Sequence, residues 1–565
     1  MRAGVRARRV ASRALVWIVG SAITWASPAL AQDDEQAPWE RELPVDDASP
    51  EPEPAPAGDE PTGEPWYRRG GGSAPVEEPA PTPAPEPAPP VARESDDGDD
   101  EDGDDEDGDD EDGDDEDGDD EDGDDEDGGD EDEHSGDFYF GSYGRIVGAS
   151  DLNGREGRQN LLTAWGPRVD ETETYAEIEL RREDHFAGMT TQVVATVAYG
   201  GPLFHYDGEF SERIAIRNLF AEVRDLLTPG LGVWAGSRMW RGDDVYLFNM
   251  WPLDNLNLIG GGFTYALEDI GELRVAAGLA QPNDPFMRQE VLVPARSGFS
   301  PDSVVFLDRQ RFVVGARLTW WPFGRFALDG IKTILYGESH YISAGDRQDE
   351  EGYTEHLPDD VGWVVGAQLG GYVTSMHAFA NLFVRYGAGL GAYDPLGVPF
   401  RQDSVIQTGR AQEVRVALSA NWEYDAFGLQ VGAYYRYFRD ADPNVFERGA
   451  LNEGAIDLRP MVWFDRFVGV AADLSYSGMA ASTINETTGQ PEAGNLFKVA
   501  LMPFVSPFGR GTYTRPHIRL IYSLSIRDDG ARALYPVLDP RSASNVEHFF
   551  GIGVEWWFAS SSYGS

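Results

Sequence analysis

The chain is 565 residues long, has no cysteine and carries a formal net charge of −54. Without cysteine there is no disulfide framework, thiol nucleophile or cysteine-ligated metal. The charge is uneven: residues 32–134 hold 46 acidic residues against four arginines, so the acidity says little about the remainder.

The first element is a leader. Arg2, Arg6, Arg8, Arg9 and Arg13 precede and flank the start of the apolar run "ALVWIVGSAITW" at 14–25, and Ala29, Leu30 and Ala31 form a small-residue cleavage site. Together they predict a secretory signal peptide over 1–31, cut before Gln32. No later stretch holds 18 consecutive apolar residues, so no helical membrane span is predicted after it.

Residues 32–135 form the second element, a disordered extension. It is rich in Pro, Ala and Glu and then carries six tandem copies of "DDEDG" from Asp99 to Gly128. So little apolar surface cannot offset chain entropy. The plain reading is a solvated spacer. The functional reading is weak Ca²⁺ binding by dense carboxylates; the five-residue repeat lacks the bidentate Glu of a twelve-residue EF-hand loop. No heptads point to a coiled coil.

From about Gly136 to Ser565 the pattern becomes alternation. In "EVRVALSANWEY" one face carries Val414, Val416, Leu418, Ala420, Trp422 and Tyr424, and the other carries Glu413, Arg415, Ser419, Asn421 and Glu423. "GLQVGAYYRYF" (428–438) repeats the theme, and "FFGIGVEWWF" (549–558) sets Phe550, Ile552, Val554, Trp556 and Phe558 on its greasy face. Alternation alone fits a soluble sandwich or a membrane barrel. Export without a membrane helix, and aromatics closing strand after strand, favour the barrel. Strand-like segments recur to the end of the sequence, and an even number of them returns both ends to one side.

Six stretches in order carry a resemblance: "FYFGSYGRIVG" (138–148), "ETYAEIEL" (173–180), "WAGSRMWRGDDVYLFNMWPLD" (234–254), "FANLFVRYG" (379–387), "TRPHIRLIYS" (514–523) and "FGIGVEWW" (550–557). The sequence resembles the maltoporin family of sugar-specific outer-membrane porins. That resemblance implies an all-β fold, an 18-stranded antiparallel transmembrane β-barrel, in a homotrimer embedded in outer-membrane lipid. It also implies passive diffusion of maltodextrins or related oligosaccharides and no cofactor. The extension would then lie in the periplasm.

The 234–254 stretch resembles the inward-folded third loop that narrows such a channel. Its broad aromatics and opposed charges suit a sugar, whose ring offers a C–H face to an aromatic and a rim of hydroxyls to ionic groups. The resemblance places an aromatic slide at Tyr143, Tyr175, Phe379, Tyr513 and Trp557. A sixth aromatic would come from a neighbouring subunit's second loop, where Phe204, Tyr206 and Phe210 are candidates and Tyr206 is preferred. The alternation supports these positions independently: Tyr143 shares a face with Arg145, Tyr175 with Glu177, and Trp557 with Glu555.

The polar track and constriction carry over as Arg145, Arg168, Glu177, Arg217, Arg241, Asp244, Asn249 and Trp251. Three positions depart from the commonest family pattern. Gly242 stands where an Arg is usual, with Arg241 adjacent; Asn249 replaces an Asp; and Trp251 replaces a Tyr at the narrowest point. These departures put the identity of the sugar in doubt and predict slower, more size-restricted passage.

Other classes fare worse. An enzyme would need a nucleophile, base and orienting group, and none of the eight His falls in such a constellation. A general diffusion porin remains the main alternative. Another is an attachment protein with the acidic tail as tether and external loops at 287–306 and 348–360. No basic run suggests nucleic-acid binding, and phosphate-loop and dinucleotide fingerprints are absent.

Overall fold

A computed structural model describes residues 135–201, 213–294, 301–348, 352–399, 405–441, 449–485 and 488–559. β1 (Ser135–Ser150), β2 (Tyr175–Phe186), β3 (Met189–Gly200), β4 (Arg213–Arg224), β5 (Leu231–Arg241), β6 (Asn255–Leu267) and β7 (Gly271–Ala280) pair each with the next. A separate hairpin, β8 (Arg288–Pro294) with β9 (Pro301–Asp308), intervenes before β10 (Arg311–Trp320) pairs with β7. β11 (Asp329–Ile342) is followed by a second hairpin, β12 (Gly345–Gln348) with β13 (Thr354–Leu357), and then pairs with β14 (Asp360–Val373).

The remaining strands are β15 (Ala378–Gly389), β16 (Gln412–Tyr424), β17 (Phe427–Arg439), β18 (Ala450–Trp463), β19 (Val468–Ile484), β20 (Pro491–Val505), β21 (His517–Arg527) and β22 (Val546–Phe558). β22 pairs with β1 from Ser142↔Phe558 to Ser150↔Phe550, closing an 18-stranded antiparallel barrel. Closure pairs both edges of every barrel strand, which a bilayer demands because lipid cannot hydrogen-bond a bare backbone.

The exposure pattern decides between sandwich and barrel. On β22, Ile552 is 58% exposed while Glu555 is 1% exposed. Leu520 and Ile518 on β21 also face out, and Arg415, Asn421 and Asp457 face in. A greasy outside around a charged inside is the inverse of a soluble domain and fits a wall solvated by lipid. Outward aromatics mark both rims. Phe186, Trp320, Tyr424 and Phe464 sit at the end with short connections, while Tyr341, Tyr435 and Tyr476 lie toward the other. Both barrel ends, at Ser135 and Phe558, lie on the short-connection side.

The two stretches read from sequence as external loops, 287–306 and 348–360, include strands of the hairpins β8–β9 and β12–β13. The base of the first hairpin meets the second where Gln289 exchanges two 2.7 Å hydrogen bonds with the Gln348 backbone. Among the described residues, no helix is long and apolar enough to cross a membrane.

Candidate functional site

The connection from β5 to β6 folds inward and lies on the inner wall. Its underside, Val245, Leu247, Phe248, Met250 and Leu253, is buried against residues of β11, β14, β15, β16, β17 and β18. A 3-10 turn at Tyr246–Phe248 is closed by Asn249 in the left-handed region (φ 52°), a conformation Asn tolerates better than most residues. Glycine makes room beneath it: a Cβ on Gly432 would lie 3.0 Å from Val245 and 3.3 Å from both Leu247 and Phe248. Ion pairs fix both ends, Asp243 with Lys332 and Asp254 with Arg317.

Along the lumen the aromatics form one uninterrupted series. Ring centroids are 5.9 Å apart for Tyr175 and Tyr143, 6.4 Å for Tyr143 and Trp557, 6.5 Å for Trp557 and Tyr513, and 6.1 Å for Tyr513 and Phe379. Tyr143 and Trp557 are direct cross-strand partners. Tyr513 arrives from the segment between β20 and β21, which Thr512 ties to Asn421 and Glu423 on β16. All five slide positions expected from sequence therefore meet. Tyr206, with Phe204 and Phe210, lies outside the described residues.

A sixth aromatic joins from an unexpected direction. Tyr246 of the inward loop packs edge-on against Tyr513 at 5.6 Å and Trp557 at 5.9 Å. Trp251 does not join the series; Arg241 lies over its ring at 4.0 Å and also donates to Asn255.

Ionic groups run beside the rings. Glu171, in the β1–β2 connection, binds both Arg145 and Arg168, and Arg168 donates to the Tyr143 hydroxyl at 3.2 Å. Burial alone would push the Glu171 carboxyl up, but Arg168 and Arg145 beside it hold it below its ordinary value. Tyr175 donates to Glu177, which faces Arg217 at 3.6 Å. Asp244 lies in the field of Arg168 and Arg241 as well as that of Asp243. Glu555 takes Arg515 at 3.1 Å, Arg519 at 2.7 Å and the Tyr246 hydroxyl at 2.6 Å.

The strand face of Arg217, ambiguous in sequence, is explained by a bulge. Thr196 pairs with Asn218 and Val197 with Ile216, leaving Arg217 as the extra residue. Ile214 and Ile216 face out before it and Leu219 after it, so the inside–outside parity flips at Arg217.

The LamB porin family matches residues 138–558, from within the first barrel strand to the end of the last. The chain belongs to the LamB porin family. It is an outer-membrane porin. Among solved structures it is similar to OmpT of Vibrio cholerae, at 10% identity over 75% of this chain and 98% of that one, with a TM-score of 0.32. It is also similar to OpdK of Pseudomonas aeruginosa, at 12% identity over 75% and 98% with a TM-score of 0.38. Acinetobacter baumannii OccAB1 is 12% identical over 75% and 96%, with a TM-score of 0.37. No curated protein matches.

In this LamB porin the geometry offers two complementary surfaces side by side: a ribbon of ring faces and a flank of fixed charges. The ribbon can cover an apolar ring without demanding its orientation. The flank can exchange hydrogen bonds with hydroxyls that shed water. Five contributors are not among the sequence-predicted site residues: Glu171, Tyr246, Arg515, Arg519 and Glu555. Glu555 was legible, since it shares the inward face of β22 with Trp557. Tyr246 lay within the quoted third-loop stretch but carried no alternation. Glu171 sits in a connection, where no periodicity speaks.

Proposed function

We propose that this LamB porin passes maltodextrins or related oligosaccharides by passive diffusion, with Tyr175, Tyr143, Trp557, Tyr513 and Phe379 as the slide. The uninterrupted aromatic series flanked by ion pairs is the observation that carries this reading. Each ring contact contributes on the order of 0.5–1.5 kcal/mol beyond area burial, and each hydrogen bond to a charged group about 1.5–3 kcal/mol. Many such sites in a row, none deep, are what conduction requires. Arg145, Arg168, Glu177, Arg217, Arg241 and Asp244 form the polar track, and the inward loop with Asn249 and Trp251 sets the constriction.

The family pattern supports a homotrimer, with Tyr206 of one subunit completing the slide of another. The sequence supports a division into signal peptide (1–31), periplasmic extension (32–135) and barrel (136–565), and we propose that the longer connections lie outside the cell. The experiment is reconstitution of the intact protein in a planar bilayer and titration with maltose through maltoheptaose. Saturable block that tightens with chain length is expected; open channels that no maltodextrin blocks would sink maltodextrin specificity.

A further inference from the structure

Two small adjoining cavities open beside the aromatic series, each with room for about one water-sized group. The first is lined by Arg459, Arg515, His517 and Arg519 above an apolar floor that includes Met502 and Phe504. The second is lined by Arg145, Arg168, Arg459, Arg519, Tyr246 and Glu555. Across both, five guanidiniums and an imidazole face a single carboxylate.

Neighbouring acids only partly cancel this charge. Glu171 holds Arg145 and Arg168, Asp473 holds Arg459 at 2.8 Å with Asp457 beside it, and Glu555 serves both Arg515 and Arg519. Among the guanidiniums that line the cavities and the acids set against them here, the cations stay ahead, five to four. Three buried donor or acceptor atoms on the cavity lining, Arg145 Nε, Arg519 Nε and His517 Nε2, have no hydrogen-bond partner among the described residues, and the last two face the first cavity. His517 is 3% exposed and stacks on Phe504 at 4.7 Å, so its ring is fixed against an apolar surface.

A neutral hydroxyl can meet both atoms, accepting from Arg519 Nε and donating to or accepting from His517 Nε2, but it leaves the excess charge. An anionic oxygen offsets that charge and accepts from Arg519 Nε, and from His517 Nε2 in the tautomer that carries its proton there, through charge-assisted bonds about twice as strong as neutral ones. Neither cavity admits a pyranose ring, but each admits an oxygen projecting from a ring held on the slide. Trp557 adjoins the first cavity, because Arg515 of its lining lies over one face of the ring at 4.1 Å and leaves the other for a sugar. We propose that this porin recognises oligosaccharides bearing an anionic group, whose ring lies on Trp557 and Tyr513 while a carboxylate or sulfate oxygen enters between Arg459, His517 and Arg519. This rests on the oligosaccharide reading above and narrows it.

The test is current block of the intact protein in a planar bilayer by three trisaccharides: maltotriose, a trimer of galacturonate, and a sulfated maltotriose. At about 0.1 M salt, at least one anionic trimer blocks roughly tenfold more tightly than maltotriose, and the advantage shrinks at about 1 M salt because screening weakens charge pairing. Which anionic trimer blocks identifies carboxylate or sulfate as the source. Arg519→Gln reduces the advantage; if that variant does not fold, the unmodified protein still decides through the three-sugar comparison. Block by maltotriose that equals or exceeds both anionic trimers overturns the inference and leaves the slide intact. Block by none of the three removes the oligosaccharide reading, and this inference with it.

Discussion

The Tyr246 hydroxyl donates to Glu555 at 2.6 Å and accepts from Arg515 at 2.6 Å. One residue of the inward loop is thereby tied to the β21–β22 side of the barrel, while the loop's underside packs on β11 to β18. The constriction is thus bridged from both sides. Tyr246→Phe keeps the ring packing and leaves Arg515 and Glu555 paired, so conductance changes little and current noise rises as the bridge loosens. Tyr246→Ala removes ring and bridge together, giving higher single-channel conductance and weaker sugar block. Equal conductance in Ala and wild type would show that the loop is held without this residue.

Trp557 touches Tyr143, Tyr513 and Tyr246 and lies under Arg515. Its removal breaks the aromatic series in the middle, leaving two short pieces. Trp557→Ala weakens block by a neutral maltodextrin on the order of tenfold, equivalent to about 1.4 kcal/mol. Phe379→Ala, at one end of the series, weakens it less. Titrations on the two variants check the order; a larger loss at Phe379 would place the main sugar contact elsewhere.

Much of this was legible because a barrel wall has period two. Glu413, Arg415 and Asn421 fall inward and Val414, Val416 and Trp422 on the opposite face, as alternation requires. The slide residues were legible for the same reason, with family resemblance to select them. Arg217 was not, because one inserted residue reverses parity and leaves no mark in the hydrophobic pattern. Nor was the role of Tyr246. What fixes it is the burial of Val245, Leu247 and Phe248 over a glycine on a strand nearly two hundred residues away in the chain. Asn249, read as the loss of a charge, also serves as the left-handed cap of that turn.

Gly432 gives the inward loop its clearance, so a larger residue there should move the loop without disturbing the barrel. Gly432→Val adds a branched side chain where even a Cβ would be tight against Val245, Leu247 and Phe248. Overpacking of this kind costs about 1–3 kcal/mol. The outer face of β17 is untouched, so the barrel still assembles. Single-channel recordings should show altered conductance and sugar block, with the unfolding midpoint only modestly lowered. Unchanged conductance would mean that the loop's position does not depend on this contact.

Lys498 on β20 reaches Asp170 of the β1–β2 connection at 2.7 Å, with both side chains essentially excluded from solvent. Asp170 also accepts from the Asn160 backbone at 3.1 Å, so the pair pins the stretch that carries Arg168 and Glu171. Lys498→Met leaves a buried carboxylate without its counter-charge, a loss of about 3–5 kcal/mol. Adding Asp170→Asn removes the orphaned charge and should recover much of that stability, a coupling read from a double-mutant cycle of denaturant midpoints. The double variant still lacks the ionic tether. Sugar block should therefore stay weakened after stability returns, because Arg168 and Glu171 are no longer held against Arg145 and Tyr143. Recovery of stability and block together would show that the tether acts on the fold alone.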